Sequence, residues 1–160
     1  MNASDILKYG HLWVLKHVQT LPDEDWYTEG VCGWWSTKNI ISHLASFEHV
    51  LVDILSACLG EENTPVLDQF KSLDGDKFND VQVSQRKNLS AREALDDYQT
   101  VQAKTMTLVE MIPDEVLREP GTLPWYGMEY ALDDFIVYTF YGHKREHCAQ
   151  IAVFRDKIKR

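Results

Sequence analysis

His143 and His147 stand four residues apart in Tyr141-Gly142-His143-Lys144-Arg145-Glu146-His147-Cys148-Ala149-Gln150-Ile151. On a helix this spacing puts both imidazoles on one face with Cβ atoms about 5–6 Å apart, which suits chelation of one metal ion. The pair also belongs to an apolar stripe. Leu132, Ile136, Phe140, His143, His147, Ile151, Phe154 and Ile158 recur in steps of three and four, the period of a buried helix seam. A polar group left unpartnered in such a seam costs about 1–3 kcal/mol. Two adjacent imidazolium charges would repel. Two arrangements relieve the problem. A shared metal ion takes one ring nitrogen from each neutral ring, or the rings find Glu, Tyr or water in a polar core.

A third histidine favours the first arrangement. His43 follows Ser36-Thr37-Lys38-Asn39-Ile40-Ile41-Ser42 in another long helical pattern. The seam of that helix runs through Ile40, Leu44, Phe47, Leu51, Ile54 and Cys58. His43 flanks it beside Ile40 and Phe47 and can look inward. Three neutral histidines with one open coordination position are the arrangement of reactive zinc centres. The remaining histidines read differently. His49 lies six residues after His43, about 240° round the helix, and His11 and His17 share that spacing. All three read as surface or boundary residues.

Other side chains qualify as neighbours of such a site. Gln150 shares the face of His143 and His147; it can hydrogen-bond a ligand ring or a bound water, or serve as a packing amide. Trp34 and Trp35 precede the His43 helix, and Trp125 and Tyr126 precede the His143 helix. As a group they read as walls of one pocket mouth, although Trp also packs at helix ends. Arg145 and Glu146 read as solvent-facing, and Cys148 as a small core-edge residue. Cys32 is an outlying candidate for a fourth ligand.

The elements that must position these residues are helical. One pattern runs from Asn2 or Ser4 to about residue 20. A second has Ser36 as N-cap, ends near Leu59 and has Gly60 as its stop. A third opens on the capping box Ser90-Ala91-Arg92-Glu93, extends to Ile112 and is closed by Pro113. The fourth spans about 131–157. Residues 26–35 read as irregular, 61–77 as a polar connection, 78–87 as a short helical turn and 113–130 as a long loop. This predicts an all-α four-helix bundle with long crossover loops, a single domain over 1–160, and bundles often build metal sites from inward side chains.

Composition excludes several classes. The chain has 160 residues, 44% hydrophobic and 26% charged, with a net charge of −9. That charge disfavours nucleic acid, which is bound through Lys and Arg; the basic tail 155–160 suits a helix C-terminus. No uninterrupted apolar run approaches the ~20 residues of a membrane span, and no secretory signal is visible at the N-terminus. Cys32, Cys58 and Cys148 are odd in number and widely spaced, which predicts a reducing, cytoplasmic setting without a disulfide framework.

Two motifs carry a resemblance. Trp35-Ser36-Thr37-Lys38-Asn39-Ile40-Ile41-Ser42-His43-Leu44-Ala45 resembles the first ligand motif of the DinB/YfiT-like superfamily. There a Trp and a Ser or Thr lead into a helix bearing one His. The segment from Tyr141 to Ile151 resembles the second, a His-x-x-x-His followed by Gln-Ile. The likeness extends from about Ile6 to Phe154. It implies an up-up-down-down-type bundle, a divalent ion on His43, His143 and His147 (zinc or nickel in most members), and a homodimer. Some members resemble transferases or isomerases in which bacillithiol, mycothiol or glutathione attacks an electrophile.

Three functions are then open. The first is a metal-dependent S-transferase for a low-molecular-weight thiol acting on a small-molecule electrophile. Three neutral ligands leave the ion its full charge, which lowers the pKa of bound water to about 7 or holds a thiol deprotonated. The second is a metal-dependent hydrolase, although no His-Glu-x-x-His supplies a base. The third is a non-catalytic metal- or ligand-binding stress protein, with the ion cross-linking helices. Imidazole suits zinc, nickel, iron and copper alike.

Overall fold

Side-chain caps set the helix starts. Ser36 accepts from the Asn39 backbone N–H (3.3 Å), while Asn39 Oδ1 accepts from the Ser36 N–H (3.0 Å). Ser90 and Glu93 form the same reciprocal pair, so two of the four orphan N–H groups at each end are satisfied locally. The computed structural model describes residues 2–159. Its helices are α1 (Ala3–Val18), α2 (Thr37–Cys58), α3 (Pro65–Ser72), α4 (Gly75–Gln85), α5 (Ala91–Val109), α6 (Asp114–Arg118), α7 (Leu132–Ile136) and α8 (His143–Ile158). A π-helical segment, Val137–Gly142, fuses α7 and α8 into one long arm. α2 packs on α5, and α1 packs on α8 and the π segment; contacts of α1 with α5 and of α2 with α8 close a four-helix bundle. No β-strand occurs among the described residues.

The crossovers are more structured than the sequence suggests. Residues 61–77, expected as a polar connection, contain α3 and the start of α4. Pro65 sits at the first position of α3, where its fixed φ suits a helix. Asp53 of α2 then accepts from the backbone N–H groups of Val66 (2.8 Å) and Leu67 (3.0 Å). The cap comes from a distant element, so local sequence does not announce it. α3 turns Leu67 and Phe70 onto the core. The expected 78–87 turn is the longer α4, begun by Asp74, whose side chain accepts from the Lys77 N–H at 2.9 Å. The 113–130 loop carries α6, one short turn of helix.

Buried side chains form two apolar clusters. One gathers Leu7, Leu51, Ile54, Phe78, Leu132 and Phe140; the other gathers Val14, Ile40, Leu44, Tyr98, Cys148 and Ile151. Along α2 the second ends at Ala45 and the first begins at Val50. Glu48 lies in the gap, fully buried. It pairs there with the buried ammonium of Lys144 on α8 and accepts from Thr105 Oγ1 of α5 at 2.9 Å. By composition α2 is apolar and long enough to cross a membrane, yet 72% of the qualifying window is buried inside the protein. It is the core helix of the bundle. Two expected seam positions lie outside the core: Cys58 and Ile158 are exposed, because each stands at the last residue of its helix, where no facing helix covers it.

α1 approaches the π segment through Gly10. A Cβ there would meet the Phe140 carbonyl oxygen at 2.5 Å. The buried stripe of α1 is therefore Ala3, Leu7, Gly10, Val14 and Val18, whereas Tyr9 and Leu12 are exposed.

Candidate metal centre

His43 comes from the first half of α2, and His143 and His147 from the first two turns of α8. The helix contact of α2 with α8 brings them together. His43 Nε2 lies 3.0 Å from His143 Nε2, and His147 Nε2 lies 2.9 Å from the same atom. One ligand atom from each ring falls within 4.8 Å of the others. Three ring nitrogens are thus gathered around His143 Nε2. In a tetrahedral zinc site with bonds of about 2.0–2.1 Å, ligand atoms stand roughly 3.3 Å apart, so the separations of 3.0 and 2.9 Å from His143 Nε2 are close to what an ion requires.

The outer nitrogens sharpen this. His147 Nδ1 is 2.8 Å from Gln150 Oε1, an acceptor, so Nδ1 carries the proton. His143 is hydrogen-bonded to the Thr139 backbone, one turn earlier in the π segment. A neutral ring that donates from Nδ1 presents a bare lone pair at Nε2. Two such lone pairs 2.9 Å apart repel unless a cation sits between them. The residues present thus fit a divalent ion by the chemistry of the donor set. His43 differs, because its Nδ1 is buried without a hydrogen-bond partner among the described residues. Its ring is held by aromatic faces instead: Trp35 at 5.0 Å and Phe47 at 4.8 Å between centroids.

Burial keeps all three rings neutral, the form a metal binds. Desolvation pulls His143 down to about 4, assisted by His147. Desolvation, then the charges of His143 and His147, holds His43 well below its ordinary value. His147 is also lowered by burial, opposed by Gln150 and by the Glu146 carboxylate.

The site opens to a cavity of about 620 Å³. One wall is the turn before α2. Trp35 N–H donates to Cys32 O at 3.0 Å, and Val31 N–H to Trp35 O at 2.9 Å. Gly33 takes φ +57° between them, a left-handed conformation that favours glycine. That turn carries Trp34, which is exposed, and Trp35, which touches His43. α4 also lines the cavity, with Asp76, Asn79 and Asp80, and the α8 face adds Glu146 and Gln150.

A protein-family model of the DinB superfamily matches residues 14–151. The chain belongs to the DinB superfamily. Its all-α bundle is that fold, and the three-histidine cluster of this DinB-like chain is compatible with metal binding. No curated protein and no solved structure gave a significant match.

Several expected neighbours lie elsewhere. Trp125 does not line the histidine cavity. Its ring packs on Phe70 at 5.8 Å, Phe70 packs on Phe47 at 5.7 Å, and only Phe47 touches His43 and His143. Tyr126 packs on Phe135 and Tyr130. Cys32 lines the cavity but is not part of the ligand group. Glu146, expected to point away, is exposed but lies on the cavity wall. It is three residues past His143, a same-face spacing. Phe47 and the α4 residues were not expected at the site. From the sequence Phe47 reads only as a seam residue, and α4 only as a short turn.

The other histidines sit at boundaries. His11 Nδ1 meets Tyr98 Oη at 3.3 Å, His17 Nδ1 donates to the Trp13 carbonyl oxygen at 2.8 Å, and His49 pairs with Asp97 at 3.1 Å. Cys148 is fully buried in the core rather than at its edge, and burial pushes its thiol up to about 12.

Proposed function

We propose that this DinB-like protein holds a divalent ion, zinc or nickel, on His43, His143 and His147 and acts as a metal-dependent transferase of a low-molecular-weight thiol to a small electrophile. The observation that carries the reading is the convergence of three neutral Nε2 atoms at the wall of an open cavity. When bound, the ion supplies a Lewis-acid charge that favours the deprotonated form of a coordinated water or thiol. The protein does the rest. Gln150 and the Thr139 backbone fix the tautomers of His147 and His143. Trp35 and Phe47 fix the His43 ring and exclude water from its back face. Trp34 and Trp35 offer apolar surface for an organic electrophile.

The test mixes metal-loaded protein, a panel of thiols and a chromogenic electrophile. Thiol-dependent turnover that disappears in His143→Ala is expected; turnover equal in the two proteins removes the transferase claim. A second reading, a metal-dependent hydrolase, gains from Glu146, a carboxylate on the cavity wall. It requires ester or amide cleavage without added thiol, lost in Glu146→Gln. The same proposal includes a cytoplasmic homodimer, checked by light scattering of untagged protein.

A further inference from the structure

The two helices that carry the histidines meet over only a short stretch. α2 packs chiefly on α5, and α8 packs chiefly on α1. Two polar side-chain links join α2 to α8 among the described residues: the histidine cluster, and the buried pair of Glu48 with Lys144. The rings are also unequally supported. Gln150 and the Thr139 backbone orient His147 and His143, and both belong to the arm that bears those rings. His43 is only 2% exposed, yet its Nδ1 has no hydrogen-bond partner among the described residues. Trp35 and Phe47, which flank its ring, belong to α2 and the turn before it. The place of His43 relative to the α8 rings is therefore set by how α2 is held against α8.

Glu48 and Lys144 sit where that hold can be made. Glu48 lies five residues after His43, about 140° round α2 and about 7.5 Å along it, and Lys144 adjoins His143, about 100° round α8. The pair thus lies on the core side of the helix contact, whereas the rings line the cavity. The other two long helices brace it. Thr105 of α5 donates to Glu48 Oε2 at 2.9 Å, and the Lys144 ammonium lies 5.3 Å from the centre of the Tyr98 ring of α5. The Lys144 stem passes Gly10 of α1, where a Cβ would stand 3.4 Å from Lys144 Cδ. A buried ion pair adds little net stability over well-packed apolar side chains, and its best-attested use is to fix register. We infer that Glu48 and Lys144 are positioning residues for the metal centre. Their pair fixes the rotation and height of α2 against α8 and so delivers His43 to His143 and His147. Without it α8 keeps a two-histidine site and the His43 ring stands off. The consequence for the ion rests on the proposed three-histidine site; the placement of the ring does not.

The test uses Glu48→Leu/Lys144→Met, which removes both charges together and leaves neither buried alone. Circular dichroism and a thermal melt verify its fold. Zinc affinity is read by competition with a chromogenic chelator. The variant should bind roughly 10- to 100-fold more weakly, the size expected of groups that orient a ligand without touching the ion. His43→Ala should cost about tenfold less in the variant than in the native chain, because there the ring no longer reaches the ion. Gln150→Ala should cost the same in both, because it acts through His147 within α8. Native affinity in the variant, or an equal cost of His43→Ala in the two backgrounds, overturns the inference. So does a Gln150→Ala cost that shrinks as much as that of His43→Ala, since the whole site would then be lost rather than one ring.

Metal-free protein supplies the second arm. Nuclear Overhauser cross-peaks between ring protons should connect His43 with His143 and His143 with His147 in the native chain, where the ring centroids stand 4.9 and 4.6 Å apart. In the variant the first should fade and the second persist. Persistence of both, or loss of both, overturns the inference. If the variant does not fold, Thr105→Val takes its place, since it keeps the side-chain shape and removes one donor from Glu48. The His43–His143 cross-peak should then weaken and zinc affinity fall several-fold; no change in either overturns the inference. Failure of the native chain to bind zinc removes the metal reading alone, and the cross-peaks then decide the placement of His43.

Discussion

Glu48→Gln should be among the most damaging single substitutions outside the histidines. The Glu48 and Lys144 side chains are 0% and 2% exposed and directly paired. The Lys144 ammonium also lies over the rings of Tyr98 (5.3 Å) and Phe140 (5.8 Å). Gln fills the same volume and keeps an acceptor for Thr105, but leaves a buried ammonium without its counter-charge. Breaking a buried pair from one side costs about 3–5 kcal/mol. At roughly 2–4 °C per kcal/mol for a chain of this size, Tm should fall by about 10 °C. Replacing both partners by apolar groups, Glu48→Leu with Lys144→Met, should restore stability to within about 1–2 kcal/mol of native. Thr105 would lose one partner but still donate to Val101 O at 3.2 Å. Urea denaturation of the metal-free protein completes the double-mutant cycle, with the m-value as a check that the unfolded state is unchanged. A loss below 1 kcal/mol for Glu48→Gln, or a double variant as unstable as the sum of the singles, would refute the reasoning.

Elemental analysis of untagged protein should show an ion in the native chain and none in His43→Ala, His143→Ala or His147→Ala. Gln150→Ala should bind with roughly 10- to 100-fold lower affinity, since it removes the acceptor that orients His147. Metal-free protein should lose stability as pH falls. The His143 ring takes a proton near 6.5 when unfolded but only near about 4 when folded, so stability is complete above about 6.5 and is lost down to about 4. The loss from His143 alone is about 3 kcal/mol, and His43 and His147 act in the same direction; chemical denaturation from pH 8 to pH 4 measures it. Gly10→Ala should destabilise by about 1–2 kcal/mol in thermal melts. The new methyl meets a backbone oxygen at 2.5 Å, and overpacking outweighs the gain of up to about 1 kcal/mol in helix propensity.

By itself the sequence determined the four long helices and the ring donors. The Ser36 and Ser90 caps and the period of apolar residues are local signals. The i,i+4 spacing of His143 and His147 fixes a shared face whatever surrounds it. That spacing also carried Gln150, which stands one turn on. Tertiary structure alone decided that His43, a hundred residues away, meets the pair, because only the α2–α8 contact sets that distance. It also decided what no local pattern encodes. Asp53 caps α3 from another helix. Glu48 and Lys144 neutralise one another inside the core, although each alone reads as a surface residue. Trp125 is held off the site by Phe70 and Phe47. The division follows range: hydrogen bonds within a few residues are written in neighbouring letters, whereas pairing across the bundle depends on which faces the whole chain must bury.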